Sequence, residues 1–221
     1  MSMLNRPSLS FCIPTYNRVE SVIRSVTAIL SIPDKDIEIV VLDNGSTDNT
    51  LDSLRLIRDE RLIVYENGKN KGALYNMVNV LNKGKGLFLV YLTDQDAINS
   101  KEIAKFKNFL LDQKRLAGGY CEFNSKSKID FELFDKGYEA IRKIGYLSRH
   151  PTGYFFNRKM MKAVNYIDKF SDYSFVDLFP LEFVLAELGE VGKGGVYYRP
   201  IFTPETGKKV ETTKSATTRG S

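Results

Sequence analysis

Short apolar runs and helically spaced apolar positions alternate through the first half of this chain. Leu9 to Thr15 is an apolar run closed by Pro14, and Asn17 to Leu30 then shows helical spacing at Val19, Val22, Ile23, Val26 and Leu30. Ile37 to Leu42 is β-branched and aliphatic apart from Glu38. Asp43-Asn44-Gly45-Ser46 is turn chemistry, and Thr47 to Ile57 predicts a second helix. A third strand is predicted from Leu62 to Tyr65, followed by the polar loop Glu66 to Lys71 and a helix carrying Leu74, Met77, Val78 and Leu81. Gly86 to Leu92 is apolar without interruption, the pattern of a central parallel strand covered on both faces. It ends on Thr93-Asp94-Gln95-Asp96.

Four successive strand-and-helix units predict an open, mainly parallel α/β sheet built from right-handed crossovers. Ligands of such sheets bind beyond the carboxyl ends of the strands. The polar clusters Thr15-Tyr16-Asn17, Asp43-Asn44, Asn67 to Asn70 and Asp94 to Asp96 all fall at such ends, so they are expected to share one site.

Farther along, Ser100 to Leu111 predicts a helix and Leu116 to Phe123 a strand, whereas Asn124 to Arg149 has no assignable period. Thr152 to Asn157 reads as a strand, Phe175 to Leu188 as a helix apart from Pro180, and Gly194 to Tyr198 as a short strand. Residues 209–221 are polar and Thr-rich, the composition of a flexible tail. A single domain over residues 1–208 is expected, with its halves meeting near residue 112.

Composition narrows the chemistry more than the fold. With 43% hydrophobic and 27% charged residues among 221, the chain has the make-up of an ordinary globular enzyme-sized domain. A net charge of +5 favours anionic partners without choosing among them. Cys12 and Cys121 each lie in an apolar strand-like stretch and lack zinc or redox spacing, which predicts buried, reduced thiols and a cytoplasmic location. No run approaches the ~20 apolar residues of a membrane span, and the amino terminus has no secretory pattern. A single histidine, His150, excludes a multi-histidine metal centre, so any metal must be held mainly by oxygen: Mg, Mn or Ca.

Asp94 and Asp96, separated by one residue on the turn after a buried strand, can aim carboxylates at a common point beyond the sheet. That suits a hard divalent cation which keeps positions for phosphate oxygens. An isolated Asp-X-Asp is also an ordinary turn and helix cap; the place of this one at the end of Gly86 to Leu92 favours the metal reading.

Together these segments resemble the inverting nucleotide-sugar glycosyltransferases of family two, with the GT-A fold. Ser10 to Arg18 (Ser-Phe-Cys-Ile-Pro-Thr-Tyr-Asn-Arg) is similar to the family's opening strand and loop, and Glu38 to Asp48 to its second. Asn70-Lys71-Gly72 with Asn76, and Asp94-Gln95-Asp96, follow in the family's order. The resemblance covers Leu9 to Leu111 and weakens beyond. It implies a Rossmann-like GT-A sheet flanked by helices, with a donor half over residues 8–112 and an acceptor half over 113–208. By resemblance, Thr15, Tyr16 and Asn17 shape the donor pocket, Asp43 meets the base edge and Lys71 lies near the nucleotide. Asp94 would contact ribose or metal, and Asp96 would ligate manganese or magnesium.

Inversion needs a base on the acceptor side. The family takes it from a Glu-Asp pair opening a helix ahead of a glycine; here Val176-Asp177 stands before Gly189 and the glutamate is missing. Asp177 is the first choice, with Glu182 and Asp172 as alternatives. His150, Thr152 and Gly153 resemble the segment flanking the acceptor. The implied activity is hexosyl transfer from a nucleoside diphosphate sugar, a UDP-sugar, to a glycan or lipid-linked acceptor in surface polysaccharide synthesis. Peripheral association with the inner face of a membrane accompanies that reading. The competing reading is a non-catalytic nucleotide-sugar-binding subunit or scaffold of a glycan-synthesis complex. A dehydrogenase is disfavoured because Gly-X-Gly-X-X-Gly is absent after the first strand, and no nucleic-acid motif occurs.

Overall fold

Strand β1 (Leu9–Thr15) has every residue but Pro14 buried, because it lies inside a sheet with helices on both faces. Leu9, Phe11 and Ile13 point into one apolar layer with Val22, Val26 and Ile29, while Cys12 points into the other with Val78 and Leu81. The alternation of a pleated strand thus feeds two cores at once. The computed structural model of the chain describes residues 6–145, 150–166 and 180–203. The predicted tail at 209–221 lies outside the described residues.

The four expected strand-and-helix units are present. Strands β2 (Ile37–Asp43), β3 (Leu62–Glu66) and β4 (Phe88–Tyr91) run parallel with β1, and helices α1 (Val19–Leu30), α2 (Thr50–Leu56), α3 (Ala73–Lys83) and α4 (Ser100–Asp112) follow their strands. A short ribbon strand, β5 (Ala97–Ile98), comes between β4 and α4 and pairs with β10 (Phe202–Thr203).

The second half extends the same sheet. It supplies β6 (Leu116–Cys121), β7 (Phe131–Phe134), β8 (Phe155–Asn157) and β9 (Lys193–Tyr197), giving the order β3-β2-β1-β4-β8-β6-β9-β7. β8 enters antiparallel between β4 and β6, and β7 is antiparallel at the edge. The stretch without a readable period, 124–149, contains β7, then α5 (Tyr138–Ala140) running directly into a π-helical turn, Ile141–Gly145. Its apolar period is hidden because a π-turn shifts the phase of the helix face. Helices α6 (Arg158–Ala163) and α7 (Pro180–Val191) complete the described elements. Pro180 stands at the first position of α7, where its missing N–H costs nothing. No helix among the described residues is long and apolar enough to cross a membrane.

Arg61 ties the α1 end to the start of β3. Its guanidinium donates to the carbonyls of Leu30 at 2.7 Å, Ile32 at 2.7 Å and Asp34 at 3.1 Å, and pairs with Asp59. A helix C-terminus exposes carbonyls that need donors, and here one cation serves that of Leu30 and two more in the loop beyond the helix. Arg61→Met is expected to lower unfolding stability by about 2 kcal/mol, the scale of charged hydrogen bonds lost with their acceptors left in place. Urea unfolding measures it; a change below about 0.5 kcal/mol, the range of neutral surface substitutions, would contradict this role.

Candidate functional site

Register builds the site. Cys12 pairs with Tyr91 across β1 and β4, so the residues three further on, Thr15 and Asp94, arrive side by side at the carboxyl rim. Thr15 Oγ1 donates to Asp94 Oδ2 at 2.8 Å. On the other flank Thr15 pairs with Asp43, and Asp43 with Glu66. The antiparallel β8 begins at this same rim: Gly153 N donates to Tyr91 O, Tyr91 N to Tyr154 O, and Thr152 Oγ1 accepts from Thr93 N at 2.8 Å. That entry direction carries His150 to Asp96.

Asp94 and Asp96 are both buried yet occupy opposite electrostatic settings. Burial lifts the Asp94 carboxyl above the ordinary carboxylate range, despite the Thr15 hydroxyl and the Arg18 guanidinium at 3.2 Å. Burial pushes Asp96 the same way, but hydrogen bonds from His150, Thr152 and Thr93 outweigh it and hold that carboxyl below its usual value. Thr93 Oγ1 donates to Asp96 Oδ2 at 2.7 Å, and His150 Nε2 meets the same oxygen at 2.5 Å. The His150 ring is flanked by Phe123 and Phe202. From below, Ser25 Oγ of α1 bonds the carbonyls of both aspartates at 3.1 Å, which fixes the turn.

A cleft of about 330 Å³ opens beside Asp94, walled by Pro14, Thr15, Tyr16, Arg18 and, at its far end, Asn44, Asn70 and Met77. The far wall is a chain of amides. Asn44 Oδ1 accepts from Lys71 N and from Asn67, and its Nδ2 donates to Gly72 O and Asn70 Oδ1. Asn76 donates to Leu42 O at 2.9 Å and accepts from Asn67 at 3.0 Å. Gly45 makes the close approach possible: its φ is +75°, and a Cβ there would lie 2.5 Å from the Lys69 carbonyl carbon.

The residues expected from sequence therefore separate. Thr15, Tyr16 and Asp94 line the cleft, and Asp96, His150 and Thr152 gather next to it. Asp43 does not reach the wall. It is fully buried, and its carboxylate accepts from the N–H groups of Gly45 and Ser46 and from the Ser46 hydroxyl, so it anchors the loop after β2. Asn17 likewise bridges to Thr47 with φ +51° and is exposed rather than cleft-lining. The Lys71 ammonium sits over the Tyr75 ring, and only its backbone N–H joins the amide chain. Glu182 is buried and accepts the Tyr154 hydroxyl at 2.9 Å. Gly153 holds φ +89° with Phe202 and Cys121 packed against it. Asp172 and Asp177 lie outside the described residues.

Arg18 and Tyr91 are among the cleft residues that escaped the sequence reading. Arg18 had only its place after Pro-Thr-Tyr-Asn as a signal, and its partner lies 76 residues away. Tyr91 looked like core because it sits in an apolar run. Burial, reinforced by the charges of Asp94, Asp96 and Glu182, raises its phenol far above the ordinary range, so it stays a neutral wall residue.

An open, mainly parallel sheet presenting two aspartates at its carboxyl rim beside such a cleft is the architecture of GT-A glycosyltransferases. The S. aureus TarS 1-349 structure in complex with UDP-GlcNAc superposes with a TM-score of 0.67 at 18% identity, over 95% of this chain and 61% of that one. Pyrobaculum calidifontis mannosyltransferase PcManGT, in complex with GDP-Man and Mn2+, gives 0.54 at 17% identity, over 72% and 47%. The chain belongs to glycosyl transferase family 2, whose model matches residues 10–173. Among curated relatives, the GalNAc(5)-diNAcBac-PP-undecaprenol beta-1,3-glucosyltransferase of Campylobacter jejuni is 27% identical over 68% of this chain and 51% of its own length. The Escherichia coli UDP-Glc:alpha-D-GlcNAc-diphosphoundecaprenol beta-1,3-glucosyltransferase WfaP is 31% identical over 48% and 42%. The chain thus spans about half the length of these relatives.

Gly153→Ala is expected to destabilise the fold by about 2 kcal/mol or more, since it adds a left-handed backbone penalty to a contact 2.8 Å from the Phe202 ring. Calorimetric melting checks this; an unchanged melting temperature would show that β8 can shift without strain.

Proposed function

We propose that this family 2 glycosyltransferase transfers a sugar, with inversion, from a UDP-sugar to a lipid-linked glycan acceptor. The observation that carries the reading is the juxtaposition of Asp94 and Asp96 with the cleft walled by Thr15, Tyr16 and Arg18. The solved relatives with UDP-GlcNAc and with GDP-Man and Mn2+ bound support a nucleotide-sugar donor and a divalent ion. The curated relatives named for undecaprenol-linked substrates support the acceptor class.

The donor set fits a manganese or magnesium ion completed by substrate. Among the described residues no three His, Cys, Asp or Glu side chains converge as a closed cage. Asp96, with its lowered carboxyl, and Asp94 across the turn would hold an ion that keeps positions for phosphate oxygens, with His150 orienting the Asp96 carboxylate. Such an ion offsets negative charge on the departing diphosphate. Arg18, with its side chain 45% exposed beside Asp94, adds a cation for the diphosphate. Thr15 fixes the rotamer of Asp94, and Tyr16 offers a partly exposed ring to the nucleoside.

Attack on the anomeric carbon needs a carboxylate that accepts the acceptor hydroxyl's proton on the face opposite the diphosphate. Glu182 already accepts a hydroxyl from Tyr154 in a buried position, which counts against it and leaves Asp177 as the first choice with Asp172 as the alternative. Thr152 and Gly153 hold β8 to β4, and we place the acceptor sugar beyond His150.

Asp96→Asn is expected to abolish the manganese-dependent part of UDP binding, whereas Asp177→Asn keeps donor binding and loses transfer by at least about a hundredfold, the scale of general-base catalysis. Calorimetric titration with UDP with and without manganese, combined with acceptor-dependent UDP release, separates the two. Undiminished turnover in Asp177→Asn would reject that base, and metal-dependent binding surviving in the double variant Asp94→Asn/Asp96→Asn would reject the donor site.

A further inference from the structure

We propose that a basic groove at the amino-terminal end of the sheet docks the protein on an anionic phospholipid surface. The groove and the donor cleft lie at opposite ends of the same strands, so the proposal stands apart from the donor-site reading.

Three elements converge at that end. Gly86 and Leu87 lead into β4, and Leu110 and Leu111 belong to the last turn of α4. The antiparallel β8 ends where β4 begins, and Arg158 to Lys162 follow it on α6. Between them opens a groove of about 540 Å³. Phe88 and Leu110 are buried in it, whereas Leu87 is 46% and Leu111 40% exposed. One leucine in water is ordinary. Here two share a groove with Arg6, Arg158, Lys159 and Lys162.

The charge around those leucines is what sets the groove apart. Other cations at this end of the sheet are neutralised: Arg61 by Asp59, Lys107 by Asp34 and Asp36, and Lys193 by Asp135. The four groove cations make no ion pair among the described residues, and no Asp or Glu among those residues lines the groove with them. Arg158 is held in place, because its Nε donates to Gly84 O at 2.8 Å.

Unpaired cations around protruding aliphatic side chains suit an interface where headgroup phosphates meet the cations and acyl chains take up the leucines. A nucleic acid would need aromatic rings for its bases, and Phe88, the aromatic residue of this groove, is buried. β1 runs through the sheet for seven residues, about 23 Å at ~3.3 Å each. A bilayer at this end therefore leaves the donor cleft clear of the headgroups and open to nucleotide. A lipid-linked acceptor must then carry a sugar chain long enough to reach past the sheet.

Co-sedimentation of the full chain with vesicles tests the proposal, comparing equal parts phosphatidylglycerol and phosphatidylcholine with phosphatidylcholine alone. Wild type is expected to bind the anionic vesicles about tenfold or more tightly than the neutral ones, the scale of several basic residues at a charged surface. Lys159→Glu/Lys162→Glu and Leu87→Ser/Leu111→Ser are each expected to lower that binding by about tenfold or more, with UDP affinity in manganese unchanged. Lys126→Glu/Lys128→Glu alters net charge equally on exposed residues beyond the other end of β6, and is expected to bind vesicles as wild type does. A wild type that binds neither vesicle, or both alike, would overturn the proposal. So would either groove variant melting normally and binding as wild type, or an equal loss in the Lys126/Lys128 variant. A wild type that binds anionic vesicles but no UDP would overturn the donor site and leave this surface standing.

Discussion

The parallel pairing of β1 with β4 is the constraint from which the rest of the site follows. These strands are not adjacent in sequence: two complete strand-and-helix units intervene, and the register Cys12 to Tyr91 is set by side chains that must alternate into two apolar layers. A slip of one residue would send every core side chain of β4 to the opposite face. The core therefore enforces the alignment, and the alignment delivers Thr15 to Asp94. Chemistry at the rim inherits its precision from packing well below it.

The two aspartates show how short a distance along the chain separates distinct electrostatic roles. Burial outweighs Thr15 and Arg18 and raises the Asp94 carboxyl above its ordinary value, whereas hydrogen bonds from His150, Thr152 and Thr93 hold Asp96 below its own. The guanidinium of Arg18 pairs with Asp94 and orients its carboxylate.

Much of this was legible in the sequence, for definite reasons. β1 from Leu9 to Thr15 and the helix opening at Ser100 agree with the expected starts because apolar runs and polar turns coincide there. Thr15, Tyr16 and Asp94 were placed correctly on the rim, since residues closing a parallel strand have nowhere else to go. Asp43 met the same criterion, and its carboxylate turned back to its own loop instead. The residue types do not distinguish a carboxylate facing the cleft from one that accepts the Gly45 and Ser46 N–H groups. The 124–149 stretch resisted reading because a π-turn shifts the phase of the helical period, and the Arg18–Asp94 pair because its partners are joined only through the sheet.

The antiparallel insertion of β8 between β4 and β6 also bears on how the protein acquires its site. Residues 9–112 contain Thr15, Arg18, Asp94 and the amide wall, all joined by neighbouring strand-and-helix units. His150 and Thr152 reach Asp96 only after β8 has crossed back to pair with β4 from the far half of the chain. The surroundings of Asp94 are thus built within the first half of the chain, whereas those of Asp96 need both halves of the sheet in place.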